Sequence, residues 1–319
     1  MPDSKRRYIG TPGIVALTFD VLVATHDLFG EDTQENETHV YRSENSGVTW
    51  NHVASIVGQW WSTLFVHGGA LYLIGVDRAY GNVVVRRSTD GGNTWASSSD
   101  GILPKGRYHS SATAVVEHAG YLWRAVELRP GEDKYDLESW LLVAPVGSDL
   151  LRPGSWEIAG TMAPPENVRW LEGNAVVTPA SEVATMLRVR PDQGREQAAV
   201  LCDGDVQLVD LPGGAKKFTV RLDSVTGRYL ALTNPSLPGG YPGEPDLARI
   251  RNRLWLYSSS DLTTWVAEGE VIGHENWRHI GFQYADWVRV GNQLAIVVRT
   301  AFRDPTVPTL SAMASNALT

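Results

Sequence analysis

The chain has 319 residues, a formal net charge of −8 at pH 7, twelve Trp, 31 Gly, 17 Pro and one Cys. Acidic and basic residues are mixed throughout, so the sequence gives no electrostatic footprint for nucleic acid or an anionic membrane. Because Cys202 is the only cysteine, an intrachain disulfide, catalysis by a Cys pair and a Cys-based zinc site are excluded. No compact set of ligands at a recognised metal-binding spacing occurs, so we expect neither a metal nor a cofactor.

The beginning of the sequence bears on location. Residues 1–8 are polar and basic, with no apolar segment behind them. We therefore expect no signal peptide or membrane span in this sequence, and a cytoplasmic location, or a secreted one if a signal has been removed. The sequence does not indicate an oligomeric state.

Short apolar runs separated by turn residues, without sustained 3.6-residue periodicity, predict strands along the whole chain. Six pairs of apolar runs follow one another, each pair joined by a short turn. The pairs are Thr11–Leu17 with Val21–Thr25, Ser62–His67 with Ala70–Gly75, His109–Glu117 with Tyr121–Glu127, Gly173–Thr178 with Glu182–Val189, Lys217–Asp223 with Arg228–Thr233, and Phe282–Val290 with Gln293–Thr300.

Six strand pairs over this length predict one all-β domain, residues 1–319, folded as a six-bladed β-propeller. Little chain remains after Arg299 for outer strands of the last blade. We therefore expect Lys5–Ile9 to pair with that blade and close the ring, which would remove an exposed edge.

A polar turn ending in Trp occurs three times. Ser88–Trp95 fits the pattern Ser-x-Asp-x-Gly-x-Thr-Trp at every fixed position, Ser43–Trp50 repeats it with Asn for Asp, and Ser259–Trp265 is one residue shorter. In such a turn the carboxylate accepts backbone N–H bonds, Gly adopts positive φ and Trp packs on the sheet. The motif resembles the Asp-box of the sialidase-type (BNR) β-propellers, where it is structural, so we expect the three turns to lie far from substrate.

Residues at inner-strand starts and at partner-strand ends converge on one end of a propeller axis. Arg, Glu, Tyr, His and Trp are frequent at these positions, a mixture that is typical of a sugar-binding funnel. The residues assigned to the funnel on this ground are Trp61, Arg78, Arg107, Tyr108, Glu127, Lys217, His279, Gln283 and Arg299.

The resemblance to sialidases extends to individual positions. Leu171–Val177 followed by Met186–Arg188 resembles the sialidase blade in which a Glu opens the inner strand and an Arg ends its partner, and Gln283–Trp287 resembles the last blade, which begins with a Tyr. The resemblance implies that Tyr284 is the nucleophile, that Glu172 draws its proton, and that Arg188 with Arg251, or Arg253 instead, clamps a substrate carboxylate. A tyrosine needs such a base because its ordinary pKa is about 10.

Two departures from the sialidase pattern change the expected substrate. The first inner strand reads Ile9-Gly10-Thr11-Pro12, without the Arg that belongs to the family's clamp. The acid/base Asp of the family lies in the loop after the first strand pair, where Asp32 and Glu31 are the candidates and His26 and Asp27 are rivals. We therefore predict an exo-acting glycosidase that cleaves a terminal sugar, acidic or neutral, other than ordinary sialic acid.

Two other classes of function fit the same residues. A polysaccharide lyase would use His and Tyr as base and acid beside a cation that neutralises a uronate, and Tyr108 and His109 next to Arg107, with His279 opposite, are suited to that role. Alternatively, the funnel binds a glycan without chemistry. In each case the predicted partner is a glycan or oligosaccharide, with no nucleic acid and no membrane.

Overall fold

The structure is a computed structural model that describes residues 7–97, 101–190, 196–237, 241 and 246–302. Apart from two short 3-10 turns, Pro153–Ser155 and Leu247–Arg249, its regular elements are β-strands. Within the described part of the chain, no helix is long and apolar enough to cross a membrane.

The described residues form six antiparallel sheets that follow one another along the chain. The first contains β1 (Tyr8–Ala16), β2 (Leu22–Phe29), β3 (Glu37–Ser43) and β4 (Asn51–Val57), and the second β5 (Trp60–His67), β6 (Ala70–Val76), β7 (Val83–Ser88) and β8 (Ala96–Ser97). The third contains β9 (Tyr108–His109), β10 (Val115–His118), β11 (Tyr121–Leu128), β12 (Glu138–Pro145) and β13 (Glu157–Met162).

The fourth sheet contains β14 (Trp170–Val177), β15 (Val183–Val189), β16 (Gln197–Cys202) and β17 (Asp205–Asp210). The fifth contains β18 (Thr219–Leu222), β19 (Tyr229–Thr233), β20 (Arg253–Ser259) and β21 (Val266–Gly273), and the sixth β22 (Ile280–Val290) and β23 (Gln293–Phe302). All six predicted strand pairs are therefore present as hairpins, but the third inner strand, predicted as His109–Glu117, is divided into β9 and β10, which pair separately with β11.

Successive sheets pack face to face through separate apolar clusters. The first and second sheets share the cluster around Val40 and Leu73, and the fifth and sixth share the cluster around Leu232 and Trp287. Ile14 and Leu22 of the first sheet also pack against Val297 of the sixth. The apolar core is thus divided among the interfaces between neighbouring sheets, which is the packing of a β-propeller.

Hydrogen bonds of buried side chains connect neighbouring sheets at or beside their inner strands. They include Trp61 N–H to Asp27 at 2.8 Å, Thr113 Oγ1 to the carbonyl of Gly173 at 2.7 Å, Val220 N–H to Asn174 at 3.2 Å, and Ile14 N–H to Asp286 at 3.0 Å. The last of these bonds joins the first and sixth sheets. Since buried polar groups need partners, these bonds fix the inner strands relative to one another.

The prediction of six complete blades is wrong. Five sheets of the described chain have four or more strands, whereas β22 and β23 form a sheet of two. The predicted closing strand is also wrong where it is described, because Tyr8 and Ile9 pair with Phe29 and Leu28 of β2 rather than with β23. Lys5 and Arg6 lie outside the described residues. Tyr8 and Ile9 are instead the first residues of β1 and extend its hairpin with β2.

The three Trp-ending turns have the same hydrogen-bonding pattern and join the third to the fourth strand of their sheets. Asp90 accepts the Thr94 N–H at 2.9 Å, and the Trp95 indole donates to the Gly92 carbonyl at 2.9 Å. Asn45 and Asp261 accept the equivalent N–H groups at 2.8 and 2.7 Å. Because antiparallel strands alternate in direction, these turns lie at the end of the sheets opposite to the starts of the inner strands.

Candidate active site

Four inner strands carry the same β-bulge near their first residues. In β1, β5, β14 and β22, two residues of the inner strand lie opposite one residue of its partner. The first residue of each bulge has positive φ without being glycine: Thr11 at 49°, Trp61 at 49°, Glu172 at 62° and Tyr284 at 59°. This conformation is rare for β-branched and bulky residues. Bulges re-aim side chains and concentrate next to active sites, so this end of the propeller is the candidate site.

Charged residues of the second strands lie beside the bulges. Asp27, Arg188 and Arg299 each pair with the residue that precedes the bulge in β1, β14 and β22. Glu127 pairs with His109 at the corresponding point of the third sheet. Antiparallel pairing therefore brings the predicted strand starts and strand ends to the same end of the propeller.

Tyr284, Glu172 and Arg188 meet at this end, from the sixth and the fourth sheets. Arg188 donates to Glu172 over 3.0 Å, and both side chains are buried. Burial raises the pKa of Glu172, but the Arg188 charge, His109 and hydrogen bonds from Arg188 and Tyr284 outweigh burial and hold it below its ordinary value. The Glu172 carboxylate is therefore ionised at neutral pH, and the Tyr284 hydroxyl lies close enough to lower its pKa.

Two further guanidinium groups flank the Tyr284 ring. The Arg299 Cζ atom lies 4.7 Å from the ring centroid and that of Arg251 lies 5.5 Å from it. Arg251 donates to Gln283 at 2.5 Å and to the carbonyl of Ala248 at 3.1 Å. Within the described part of the chain, neither Arg251 nor Arg299 forms an ion pair with a carboxylate. Burial lowers the pKa of both.

Arg249 and Arg251 line two cavities. The Tyr284 cavity has a volume of about 300 Å³ and is lined by Tyr135, Leu171, Arg188, Arg190, Asp246, Ala248, Arg249, Arg251 and Tyr284. The Arg299 cavity has a volume of about 470 Å³, and its lining includes Arg7, Tyr8, Arg249, Arg251, Trp277, Arg278, His279, Gln283 and Arg299. Positive charge concentrated in these clefts, in a chain of net charge −8, favours an anionic ligand.

His109 and Glu127 form a buried pair at the same end of the propeller as the bulges. His109 Nδ1 lies 2.6 Å from Glu127 Oε2, and Glu127 Oε1 accepts the N–H of Gly173 at 2.7 Å. Gly173 is the second residue of the bulge that carries Glu172. The His109 ring packs against Trp61, with the ring centroids 4.6 Å apart.

Asp27 does not present its carboxyl group to the cavities. It is 1% exposed, and it accepts hydrogen bonds from the Thr38 hydroxyl at 2.6 Å and from Trp61 N–H at 2.8 Å. Burial raises its pKa to about 7, against hydrogen bonds from Thr38, Trp61 and Thr11. Asp27 therefore fixes two bulges, and the hypothesis that it is the acid/base is corrected.

His26 is likewise not part of the site, because neighbouring residues of a strand point to opposite faces of the sheet. Its ring stacks on His39 and Tyr41 of β3, at centroid distances of 5.3 Å. Burial lowers its pKa to about 4, so the ring is neutral near pH 7.

The loop carboxylates Glu31 and Asp32 are exposed. Asp32 lines a separate cavity of about 300 Å³ with Arg7 and Glu37, and Tyr284 is not part of that lining. The structure therefore does not bring the expected loop acid to Tyr284, because the loop after β2 folds towards Glu37 and Val57 at the edge of the first sheet.

Several predicted binding residues have other partners. Arg253 pairs with Glu270 at 2.5 Å, so Arg251 is the arginine of this segment that reaches Tyr284. Arg107 pairs with Glu132 at 2.7 Å on the surface. Arg78 is exposed.

Tyr108 and Lys217 are buried structural groups. The Tyr108 hydroxyl donates to the carbonyl of Pro104 at 3.1 Å, and its ring packs on Trp140. Lys217 is 2% exposed and donates to the carbonyl of Ala285 at 2.8 Å, which joins the fifth and sixth sheets. Of the remaining predicted residues, His279 and Gln283 line the Arg299 cavity.

Sequence reasoning missed the loop residues of the site. Tyr135 lines the Tyr284 cavity and packs under Arg190, whose Cζ atom is 4.1 Å from its ring centroid. The ring centroids of Tyr80 and Trp61 are 5.2 Å apart. Arg249 lines both the Tyr284 cavity and the Arg299 cavity. These residues follow or precede strands at irregular distances, so the strand pattern gives no signal for them.

Comparison with protein-family models finds no match, and neither does comparison with curated protein sequences. Among solved structures, the chain resembles an α-L-arabinanase of Penicillium chrysogenum complexed with arabinobiose, at a TM-score of 0.65 and 13% identity over 92% of both chains. It also resembles an α-L-arabinofuranosidase of Fusarium graminearum, at a TM-score of 0.62 and 10% identity over 93% of this chain and 90% of that one. A third similar structure is a Hadza microbial sialidase, at a TM-score of 0.63 and 16% identity over 94% of this chain and 66% of that one.

At these identities the likeness shows the fold alone. The chain is an all-β propeller, and the coarse prediction of fold class is confirmed. A shared fold does not establish the reaction, which has to be argued from the site.

Proposed function

We propose that the chain is a glycoside hydrolase that removes a terminal, negatively charged sugar from a glycan with retention of configuration. Tyr284 is the nucleophile, Glu172 its base, and Arg251 and Arg299 bind the anionic group of the sugar. The β22–β23 sheet is, in this proposal, an incomplete sixth blade that places Tyr284 beside the fourth sheet.

The proximity of Tyr284 to the buried Glu172–Arg188 pair carries the proposal, because Tyr284 and Arg188 line the same cavity and Tyr284 acts on the pKa of both Glu172 and Arg188. A phenol is a weak nucleophile near pH 7 unless a neighbouring base takes its proton. The Glu172 carboxylate is ionised and in place to take it, and Arg188 stabilises the negative charge that develops on the two oxygen atoms. The two bulges hold both side chains at positive φ, which a purely structural pair does not require.

The acidic character of the substrate rests on Arg251 and Arg299. A buried cation without an anion is costly, and a carboxylate or sulfate of the substrate would remove that cost. Arginine also binds carboxylates through two parallel hydrogen bonds. The sialidase pattern places a clamp arginine on the first inner strand, and this chain has Thr11 there. Arg299 approaches from β23 instead, which is why we propose a sugar other than ordinary sialic acid.

The structural neighbours support the same class of chemistry. Their names describe an arabinanase, an arabinofuranosidase and a sialidase, two of them solved with arabinobiose. All are enzymes that act on glycosidic bonds.

A lyase is the second candidate, because the buried His109–Glu127 pair is bonded to the bulge that carries Glu172. In that case His109 would abstract the proton next to a uronate carboxylate. The product would then carry a double bond rather than a new anomeric hydroxyl group.

The test is a panel of neutral, uronic, sialic and sulfated oligosaccharides, assayed for reducing-end release and for the ultraviolet absorbance of an unsaturated uronate. Release of a terminal acidic sugar without that absorbance, and its loss in Tyr284→Phe, supports the proposal. The absorbance identifies the lyase. Tight binding without turnover of any glycan identifies a binding protein and contradicts both enzymatic proposals.

A further inference from the structure

A hydrolase that uses Tyr284 and Glu172 still needs a group that protonates the departing oxygen atom. In the proposed reaction Tyr284 attacks the sugar carbon and Glu172 accepts the Tyr284 proton, so neither residue can protonate the leaving group. Glu31 and Asp32 lie in the loop after β2, and the cavity lined by Asp32 does not include Tyr284. Asp27 is buried and hydrogen-bonded on both oxygen atoms. The proton donor must therefore come from elsewhere in the site.

The His109–Glu127 pair has the arrangement that a proton donor requires. The two residues lie opposite each other in β9 and β11, and Glu127 Oε2 binds His109 Nδ1 at 2.6 Å. The second carboxylate oxygen of Glu127 is held by the N–H of Gly173. With both oxygen atoms bound, Glu127 fixes the orientation of the imidazole ring and turns Nδ1 towards the carboxylate.

The other ring nitrogen of His109 is available. Among the described residues, no hydrogen bond involves Nε2, and the His109 side chain is 9% exposed. Two aromatic rings lie beside the imidazole, with centroid distances of 4.6 Å for Trp61 and 6.2 Å for Tyr80. His109 is also close enough to Glu172 to lower the pKa of that carboxyl group.

We propose that His109, positioned by Glu127, is the general acid and base of the hydrolysis. This inference rests on the proposed function. In the first step the Tyr284 oxygen bonds to the anomeric carbon and gives its proton to Glu172. The bond to the leaving oxygen breaks, its electron pair stays on that oxygen, and His109 Nε2 supplies the proton.

In the second step water attacks the anomeric carbon and gives a proton to the now neutral His109 Nε2. The bond to Tyr284 breaks, and the phenol recovers its proton from Glu172. Every residue ends in its starting protonation state, and the sum of the two steps is hydrolysis of the glycosidic bond.

The test compares leaving groups, after the panel has identified the sugar that the wild-type protein releases. Phenyl and 2,4-dinitrophenyl glycosides of that sugar differ in their need for a proton donor. We expect His109→Asn, whose amide retains the bond to Glu127, to lower kcat/KM about 100-fold or more for the phenyl glycoside. The dinitrophenyl glycoside should change by less than about tenfold, because its leaving group departs unprotonated. His118→Asn, at the opposite end of the propeller, is the matched control.

Two further readouts separate catalysis from structure. Azide should restore turnover of the dinitrophenyl glycoside by His109→Asn and yield a glycosyl azide, because azide needs no base. Glu127→Gln should lower kcat/KM more for the phenyl glycoside than for the dinitrophenyl glycoside, because the imidazole ring loses the carboxylate that orients it. A purely structural role would lower thermal stability without either effect.

Equal losses on both glycosides, or no loss on either, would overturn the assignment of His109 while leaving the proposed hydrolase intact. If the wild-type protein releases no sugar from the panel, the proposed function fails and this inference fails with it. An unsaturated product that is lost in His109→Asn would also overturn the inference, because His109 would then be the base of a lyase.

Discussion

Arg299 offers a direct test of the anion-binding site, because the structure predicts opposite effects on binding and on folding. Its guanidinium group is largely buried, has no carboxylate partner among the described residues, and lies over Tyr284 and Tyr8 at 4.7 and 5.8 Å. Arg299→Gln removes the charge but retains a planar amide that packs on the same rings.

The expected magnitudes follow from those contacts. Loss of a charge-assisted contact with the anionic group costs about 1.5–3 kcal/mol, or roughly tenfold to over a hundredfold in Kd. The variant also loses cation–π attraction of about 1 kcal/mol, but it avoids the cost of several kcal/mol for a buried, unpaired charge. We therefore expect the free energy of unfolding to rise by about 1 kcal/mol or more.

Calorimetric titration with the methyl glycosides of D-glucuronic and D-galacturonic acid measures the affinity, and urea unfolding measures the stability. Arg253→Gln is the control, since Arg253 already pairs with Glu270, and it should leave affinity unchanged. Unchanged affinity of Arg299→Gln for every acidic sugar that the wild-type protein binds, together with lower stability, would refute the reasoning. Arg299 would then be a structural residue.

Three other predictions concern stability, substrate and pH. Trp95→Ala should lower the free energy of unfolding by about 2 kcal/mol in urea unfolding without changing turnover, because Trp95 is half-buried against the cluster around Val40; lost activity with unchanged stability would contradict the structural role of the turn. The 4-methylumbelliferyl glycoside of N-acetylneuraminic acid should be hydrolysed slowly or not at all, and fluorescence assays showing efficient hydrolysis would mean that Arg299 completes a sialic acid clamp. The pKa of His26 is lowered from 6.5 to about 4 by burial, so its contribution is complete above pH 6.5 and is lost as the pH falls through about 4. His26→Phe should reduce the acid loss of stability by at most about 3 kcal/mol in unfolding curves between pH 7 and 4, and an unchanged pH dependence would show that His26 titrates normally.

The sequence predicted the inner hairpins because each consists of two apolar runs around a short turn, and local turn chemistry determines that pattern. It did not predict how the last sheet is completed. Tyr8 and Ile9 are compatible with either neighbour in their apolar pattern, and only the register of β1 with β2 decides between them.

The candidate site was predictable as a set of positions, but its geometry was not. Thr11, Trp61, Glu172 and Tyr284 have no intrinsic preference for positive φ, so the bulges that aim them come from tertiary packing. The same holds for Asp27: the pattern of the strand places it at the site, whereas its bonds to Thr38 and Trp61 turn its carboxyl group into a structural one. The partners of a charged side chain in neighbouring sheets are not encoded locally.

The most direct test of the central claim is NMR of the first-formed product, with wild-type protein and with Tyr284→Phe. If Tyr284 is the nucleophile, the released sugar keeps its anomeric configuration, because two displacements at the same carbon restore it. The Tyr284→Phe variant should bind the same glycan but form no retained product. An inverted anomer, an unsaturated sugar, or a Tyr284→Phe variant that still releases the retained product would contradict the account.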